Sequence, residues 1–235
     1  RFDSIENFNE SKEIKINCLL PIDTIKNNLV FKHYPTVLFL SYPLIGLDDF
    51  RSPIIINSPN FEPEKERDKI IIQNVAEDAE DAEESNESLI NKFIITKSVD
   101  IFIKMVHYVI DNNFNSLYYI SVGLRFPHSN EFIKENFVDK MRDVVLSSNV
   151  FETSSGFRPA SEILFPIIGD YKCFNDYDQK SKNAAEFRKD RDNEFFSLVS
   201  RLSIDNKYCI SHQIYSEWVT LLWTDFPSKI AFEEL

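Results

Sequence analysis

Ala76–Ser88 reads AEDAEDAEESNES and contains no Lys, Arg, aromatic or branched apolar residue. Such a segment has too little apolar surface to offset the entropy lost on ordering it, so we predict that Ala76–Glu87 is mobile. It therefore divides the chain into a β-rich part at residues 1–73, an acidic linker or long loop at 74–88, and an α+β part at 89–235. The two parts can also form one domain around the loop.

The net charge of −12 is concentrated in this acidic segment. Residues 73–88 carry seven acids and no base, whereas residues 1–72 contribute −2 and residues 89–235 contribute −3. The parts able to fold are therefore close to neutral, and they lack the basic footprint that neutralises phosphates. The charge distribution thus argues against a nucleic-acid partner.

Cysteine usage and hydropathy indicate an intracellular protein. Cys18, Cys173 and Cys209 are isolated, without CxxC or metal-ligand spacing, which is typical of a reducing compartment. The sequence has no apolar run of about 18 residues and no signal-peptide pattern. We therefore expect the protein to be located in the cytoplasm or the nucleus and to have no membrane partner. Because the sequence begins at Arg1 rather than Met, it is also compatible with a fragment or a processed form.

Glycine is scarce, with four residues in 235. Loops that cradle phosphates need clustered glycines, because their backbone takes positive φ and approaches the ligand without a Cβ in the way. Neither GxGxxG nor GxxxxGK[ST] occurs in this sequence. We therefore predict no nucleotide ligand and no cofactor.

Apolar patterning in the first part predicts short strands. Lys12–Leu20 alternates apolar and polar residues, which is typical of a half-exposed strand. Val37–Leu40 is apolar on both faces, which predicts a covered strand. Asp23–Leu29 has room only for a short helix. Two further strand candidates are Ile54–Ile56 and Ile70–Ile72.

In the second part, Phe93–Ile95 predicts a strand, and a helix capped by Ser98 follows it. The polar residues of this helix form one narrow stripe, made by Asp100, Lys104, His107 and Asp111. The stripe places Ile103 on the buried side and His107 on the exposed side.

Further elements follow along the second part. Leu117–Phe126 alternates and predicts a strand, after which Ser129 caps a helix whose apolar face is Phe137, Met141, Val144 and Val145. Two more helices are predicted at about 184–202 and 211–224. The mixed order of elements favours an α+β fold with mixed sheet elements and four helices, mostly in the second part.

The strand-to-helix junction at Arg125, His128 and Ser129 is a candidate anion site. A helix N-terminus offers free N–H groups, and two side chains able to carry positive charge lie beside it. The ordinary interpretation is a capped helix start, because Ser129 satisfies one of those groups itself. No sequence motif identifies catalytic or metal-ligating residues.

The last predicted helix has a wide apolar arc, with more apolar surface than the core of a small domain easily covers. Trp218 lies inside this arc and Trp223 at its border, where an indole can anchor another protein. We therefore name Trp223, Tyr215 and Phe226 as candidate partner-binding residues, against the alternative that they pack in the core.

These patterns lead to three hypotheses of function. The first is a non-enzymatic subunit of a eukaryotic-type multiprotein assembly, a scaffold that binds other proteins through aromatic-rich surfaces. The second is an enzyme or degenerate enzyme whose site is assembled from residues distant in sequence. The third is a nucleic-acid-associated subunit.

Overall fold

The computed structural model describes residues 2–8, 12–30, 37–44, 50–73, 84–121, 124, 130–153, 155–164 and 208–210. The chain divides into two compact units, Arg1–Val145 and Leu146–Leu235. The β-rich part that the sequence predicts therefore shares a unit with the long helix that follows the acidic segment. The unit boundary lies after Val145 and not in that segment.

The described residues form strands and helices together, so the fold is of mixed α and β composition. In chain order the strands are β1 (Phe2–Phe8), β2 (Lys12–Leu19), β3 (Ile22–Asp23), β4 (Asn28–Leu29), β5 (Leu38–Phe39), β6 (Ile55–Asn57), β7 (Phe151–Thr153), β8 (Gly156–Arg158), β9 (Ile163–Leu164) and β10 (Tyr208–Cys209). The helices are α1 (Asn86–Asp111), α2 (Glu131–Ile133) and α3 (Asp139–Ser147), and a π-helical turn at Lys134–Val138 joins α2 to α3.

A four-stranded sheet in the order β1-β2-β6-β5 is the larger of the two sheets described in the first unit. The alternation in β2 produces one buried face, because Ile14, Ile16 and Cys18 are fully buried while Glu13 and Lys15 are exposed. Asn17 departs from this pattern, since it is buried and its Nδ2 donates to the Asn57 carbonyl at 3.4 Å. β2 pairs antiparallel with β1 and β6, and β5 pairs parallel with β6. The predicted strands at Lys12–Leu20 and Ile54–Ile56 are thus confirmed to within one residue at each end. The run Val37–Leu40, predicted as a covered strand, forms only the two-residue strand β5 at the end of the sheet order, where Leu38 is buried and Phe39 half-buried.

Three predictions in the first part differ from the structure. Strand β1 has no counterpart among the predictions. Asp23–Leu29 is not a helix, because Ile22–Asp23 and Asn28–Leu29 pair as the antiparallel hairpin β3–β4 around a four-residue turn. Ile70–Ile72 is not a strand, since only Ile70 forms an isolated bridge, with Pro63.

The helix α1 begins earlier than predicted. Ser85, in an extended conformation, caps it by accepting a hydrogen bond from the Ser88 backbone N–H at 3.3 Å. Phe93–Ile95 is therefore helical and not a strand, because burial on one helix face overrides the weak helix propensity of β-branched residues. Ser98 does not cap; it is buried, and its hydroxyl donates to the Ile94 carbonyl at 2.8 Å.

The polar stripe of α1 is confirmed, since its four residues are exposed. The opposite face packs against β1 and β2. Phe102, Met105 and Val106 are fully buried on that face, whereas Ile103 is only half-buried. The stripe therefore identified the exposed side correctly but placed Ile103 too deep.

The end of α1 is a Schellman motif with Asn113 in the left-handed position that glycine usually takes, at φ 53°. The Asn113 N–H donates to the Ile110 carbonyl at 3.0 Å, and the Phe114 N–H donates to the Val109 carbonyl at 2.9 Å. The ring of Phe114 packs beside Tyr108 with centroids 6.2 Å apart, which is the apolar contact that accompanies this motif.

After α1, Leu117–Ser121 forms a 3₁₀ helix, so the predicted strand at Leu117–Phe126 is wrong over those five residues. The next helical segment is capped by Asn130, whose Oδ1 accepts from the Ile133 N–H at 3.2 Å. Along this segment Phe137, Met141 and Val145 are buried as predicted, whereas Val144 of the same predicted face is only half-buried. The ring of Phe137 lies beside that of Phe50, with the two centroids 5.0 Å apart.

In the second unit, described strands are short. β7 and β8 form an antiparallel hairpin, and β9 and β10 pair parallel. The described residues contain two helices of substantial length, α1 and the segment through α3, rather than four. The helices predicted at about 184–202 and 211–224 lie outside the described residues.

The last residues of the acidic segment are bound to the protein, contrary to the prediction that Ala76–Glu87 is mobile throughout. Ser85 caps α1, and the Glu84 carboxylate lies 2.6 Å from Lys92 Nζ. Replacing all of Ala76–Glu87 with Gly and Ser would therefore remove the Glu84–Lys92 ion pair and alter the Ser85 cap, in addition to changing the loop.

We expect Ser85→Ala to lower the free energy of unfolding by about 1 kcal/mol, the usual cost of losing an N-cap. Ser85→Asp retains a capping oxygen and is the matched control. Urea denaturation measures both variants. Equal stability of wild type and Ser85→Ala would show that the cap contributes nothing to the start of α1.

Candidate functional site

The residues that the sequence nominates for binding all lie outside the described residues. They are the partner-binding candidates Trp223, Tyr215 and Phe226 and the anion-site candidates Arg125, His128 and Ser129. In the described residues the candidate site consists instead of the β3–β4 hairpin and the end of α1, a contact that the sequence did not predict.

The turn of the β3–β4 hairpin carries an isoleucine at its tip. Asp23 Oδ1 accepts hydrogen bonds from the N–H groups of Ile25 at 3.0 Å and of Lys26 at 3.1 Å. This Asx arrangement fixes the backbone of the tip without using the Ile25 side chain. Ile25 is 95% exposed, at a turn position where glycine and polar residues predominate.

A second set of bonds attaches the hairpin to the end of α1. Asn27 takes a left-handed conformation at φ 51°, and its Nδ2 donates to the carbonyls of Asn112 at 3.2 Å and Asn113 at 2.9 Å. These carbonyls follow the last turn of α1, where no intrahelical donor is available. The Asn27 amide thus satisfies the helix end and anchors the hairpin.

The backbones of the hairpin and of the chain after α1 are also joined. The Asn115 N–H donates to the Asn27 carbonyl at 2.9 Å, and the Leu29 N–H donates to the Asn115 carbonyl at 3.1 Å. At the base of the hairpin, the Val30 N–H donates to the Pro21 carbonyl at 3.1 Å. The tip is consequently held from both sides, which lowers the entropy that a binding partner would have to remove.

Exposed apolar side chains occur on several of the elements around the hairpin. Five large apolar side chains are exposed among the residues whose burial is described, and four of them lie at the end of β2, on the hairpin or in the last turns of α1. We call these four the hairpin surface: Leu19, Ile22, Ile25 and Tyr108. The fifth, Leu89, lies near the other end of α1.

A polar cluster at the start of α1 has a structural role. Asn91 is fully buried, and its side chain accepts from the Glu62 N–H at 2.8 Å and donates to the carbonyls of Glu62 at 2.7 Å and Ile71 at 2.9 Å. One amide thus binds both ends of the segment from Glu62 to Ile71 to the helix. Its hydrogen-bonding groups are used within the protein.

The neighbouring charges are also engaged in internal contacts. Ser88 accepts from the Gln73 N–H at 2.9 Å and donates to the Glu84 carboxylate. Lys92 pairs with Glu84, and its Nζ lies 5.0 Å from the centre of the Phe132 ring. This cluster stabilises the helix start and the segment before it.

Within the residues that the structure describes, no group of three or more His, Cys, Asp or Glu side chains is placed to hold a metal ion. No helix in the same part of the chain is both long enough and apolar enough to cross a bilayer. Comparison with known proteins finds no matching family model, curated protein or solved structure.

One sequence signal could have revealed the hairpin. The run DTIKNN places Asp23 two and three residues before Ile25 and Lys26, which is the spacing of an Asx turn, and Asn27 is the residue type that best tolerates positive φ after glycine. The contact of the hairpin with α1 had no comparable signal, because Asn27 and Asn112 are 85 positions apart.

Proposed function

We propose that this protein is a non-enzymatic, protein-binding subunit of a multiprotein assembly. The observation that supports the proposal is Ile25, a large aliphatic side chain 95% exposed on a turn whose backbone is fixed by hydrogen bonds. A few side chains that fill well-packed, desolvated pockets provide most of the energy of protein interfaces. A rigid turn also binds at lower entropic cost than a flexible loop.

The other exposed apolar residues of the hairpin surface extend this anchor. Ile22 is 38% exposed and Tyr108 is 45% exposed, and Tyr residues are common at the centre of interfaces. The bonds between Asn27 and the end of α1 hold the turn and the helix as one rigid support. In this proposal the hairpin enters a complementary apolar pocket of the partner protein.

The experiment is crosslinking in the native cell extract with a photoreactive residue at position 25, and with the same residue at position 89 as the matched control. Leu89 is also exposed and apolar, but it is near the other end of α1. We expect a protein of defined mass to be crosslinked from position 25 and not from position 89.

We expect Ile25→Ser to weaken association with that protein about tenfold, which corresponds to about 1.4 kcal/mol. The melting temperature should stay unchanged, because the side chain is exposed in the free protein. Leu89→Ser should leave both properties unchanged. Equal crosslinking at both positions, or undiminished binding by Ile25→Ser, would refute the role of the hairpin surface.

The same assembly is the proposed context for Trp223, Tyr215 and Phe226. We expect Trp223→Ala to weaken association by about 2 kcal/mol or more with a small change in stability. Trp218→Ala should cost about 3–5 kcal/mol of folding free energy, as truncation of a buried aromatic side chain does. If Trp223→Ala destabilises the protein as much and binding persists, both rings belong to the core.

Two other functions stated from the sequence are distinguishable in these experiments. An enzyme with a site assembled from distant residues would turn over a small molecule, and its activity would be unaffected by Ile25→Ser. A nucleic-acid-associated subunit would retain nucleic acid whose binding weakens steeply with salt.

A further inference from the structure

We draw no further inference here: the strongest candidate, the half-exposed apolar face near the start of α1 around Leu89 and Phe93, carries nothing because no described part of the chain shows what covers it.

Discussion

Replacing Asn91 by alanine is expected to lower the free energy of unfolding by about 3–5 kcal/mol. The substitution removes three hydrogen bonds, to the Glu62 N–H, the Glu62 carbonyl and the Ile71 carbonyl. Asn91 is fully buried, so water does not readily replace the lost partner, and each such group costs about 1–3 kcal/mol. The small cavity left by the side chain adds to the loss.

Two variants separate the hydrogen bonds from the packing. Asn91→Leu keeps the branched shape of the side chain, at a somewhat larger volume, but makes none of the bonds, so it should remain strongly destabilising. Asn86→Ala changes an exposed Asn in the first turn of the same helix and should stay within about 0.5 kcal/mol of wild type.

Urea denaturation gives the free energies, and limited proteolysis reports on the segment from Glu62 to Ile71. We expect faster cleavage within this segment in Asn91→Ala, because the side chain binds it at both ends. Stability of Asn91→Leu within about 1 kcal/mol of wild type would mean that the three bonds have no net effect on folding.

The second large effect is expected for Phe102→Ala in the middle of α1. Phe102 is fully buried on the face of α1 that packs against β1 and β2. Truncating a buried Phe to Ala removes its transfer free energy and leaves a cavity, which together cost about 3–5 kcal/mol. Phe102→Leu should cost less, because the cavity is smaller.

Lys104→Ala is the control for Phe102→Ala, since it lies two residues away on the exposed stripe. We expect it to unfold at the wild-type urea concentration. If Phe102→Ala and Lys104→Ala have the same midpoint, the burial of this helix face is misassigned, and the sheet and α1 do not share a core.

Several elements could be predicted because their signal is local. The alternation in β2 needs only neighbouring residues, and the polar stripe of α1 needs only the helical repeat. The burial of Phe137, Met141 and Val145 follows from the same repeat. In each case the pattern within a single strand or helix indicates which of its residues are exposed to solvent.

Local sequence signals failed where one pattern of apolar and polar residues fits two kinds of secondary structure. The apolar run Phe93–Ile95 fits a buried strand as well as a buried helix, and only the packing of α1 distinguishes them. Leu117–Phe126 alternates like a strand, yet its first five residues form a 3₁₀ helix behind the Schellman motif at Asn113. The polar residues of Asp23–Leu29 suit a turn, where the sequence favoured a short helix.

The sequence by itself determined the mixed helix and strand composition, the strand β2 and the exposed side of α1. The reason is that the hydrophobic periodicity of each element depends only on its own residues. Only the tertiary structure decided that Asn91 binds the segment from Glu62 to Ile71 and that Asn27 joins the hairpin to the end of α1. The reason is physical: these amides bond to backbone groups 20 to 86 positions away. Backbone groups are present at every residue, so no side-chain pattern identifies which of them will be the partner.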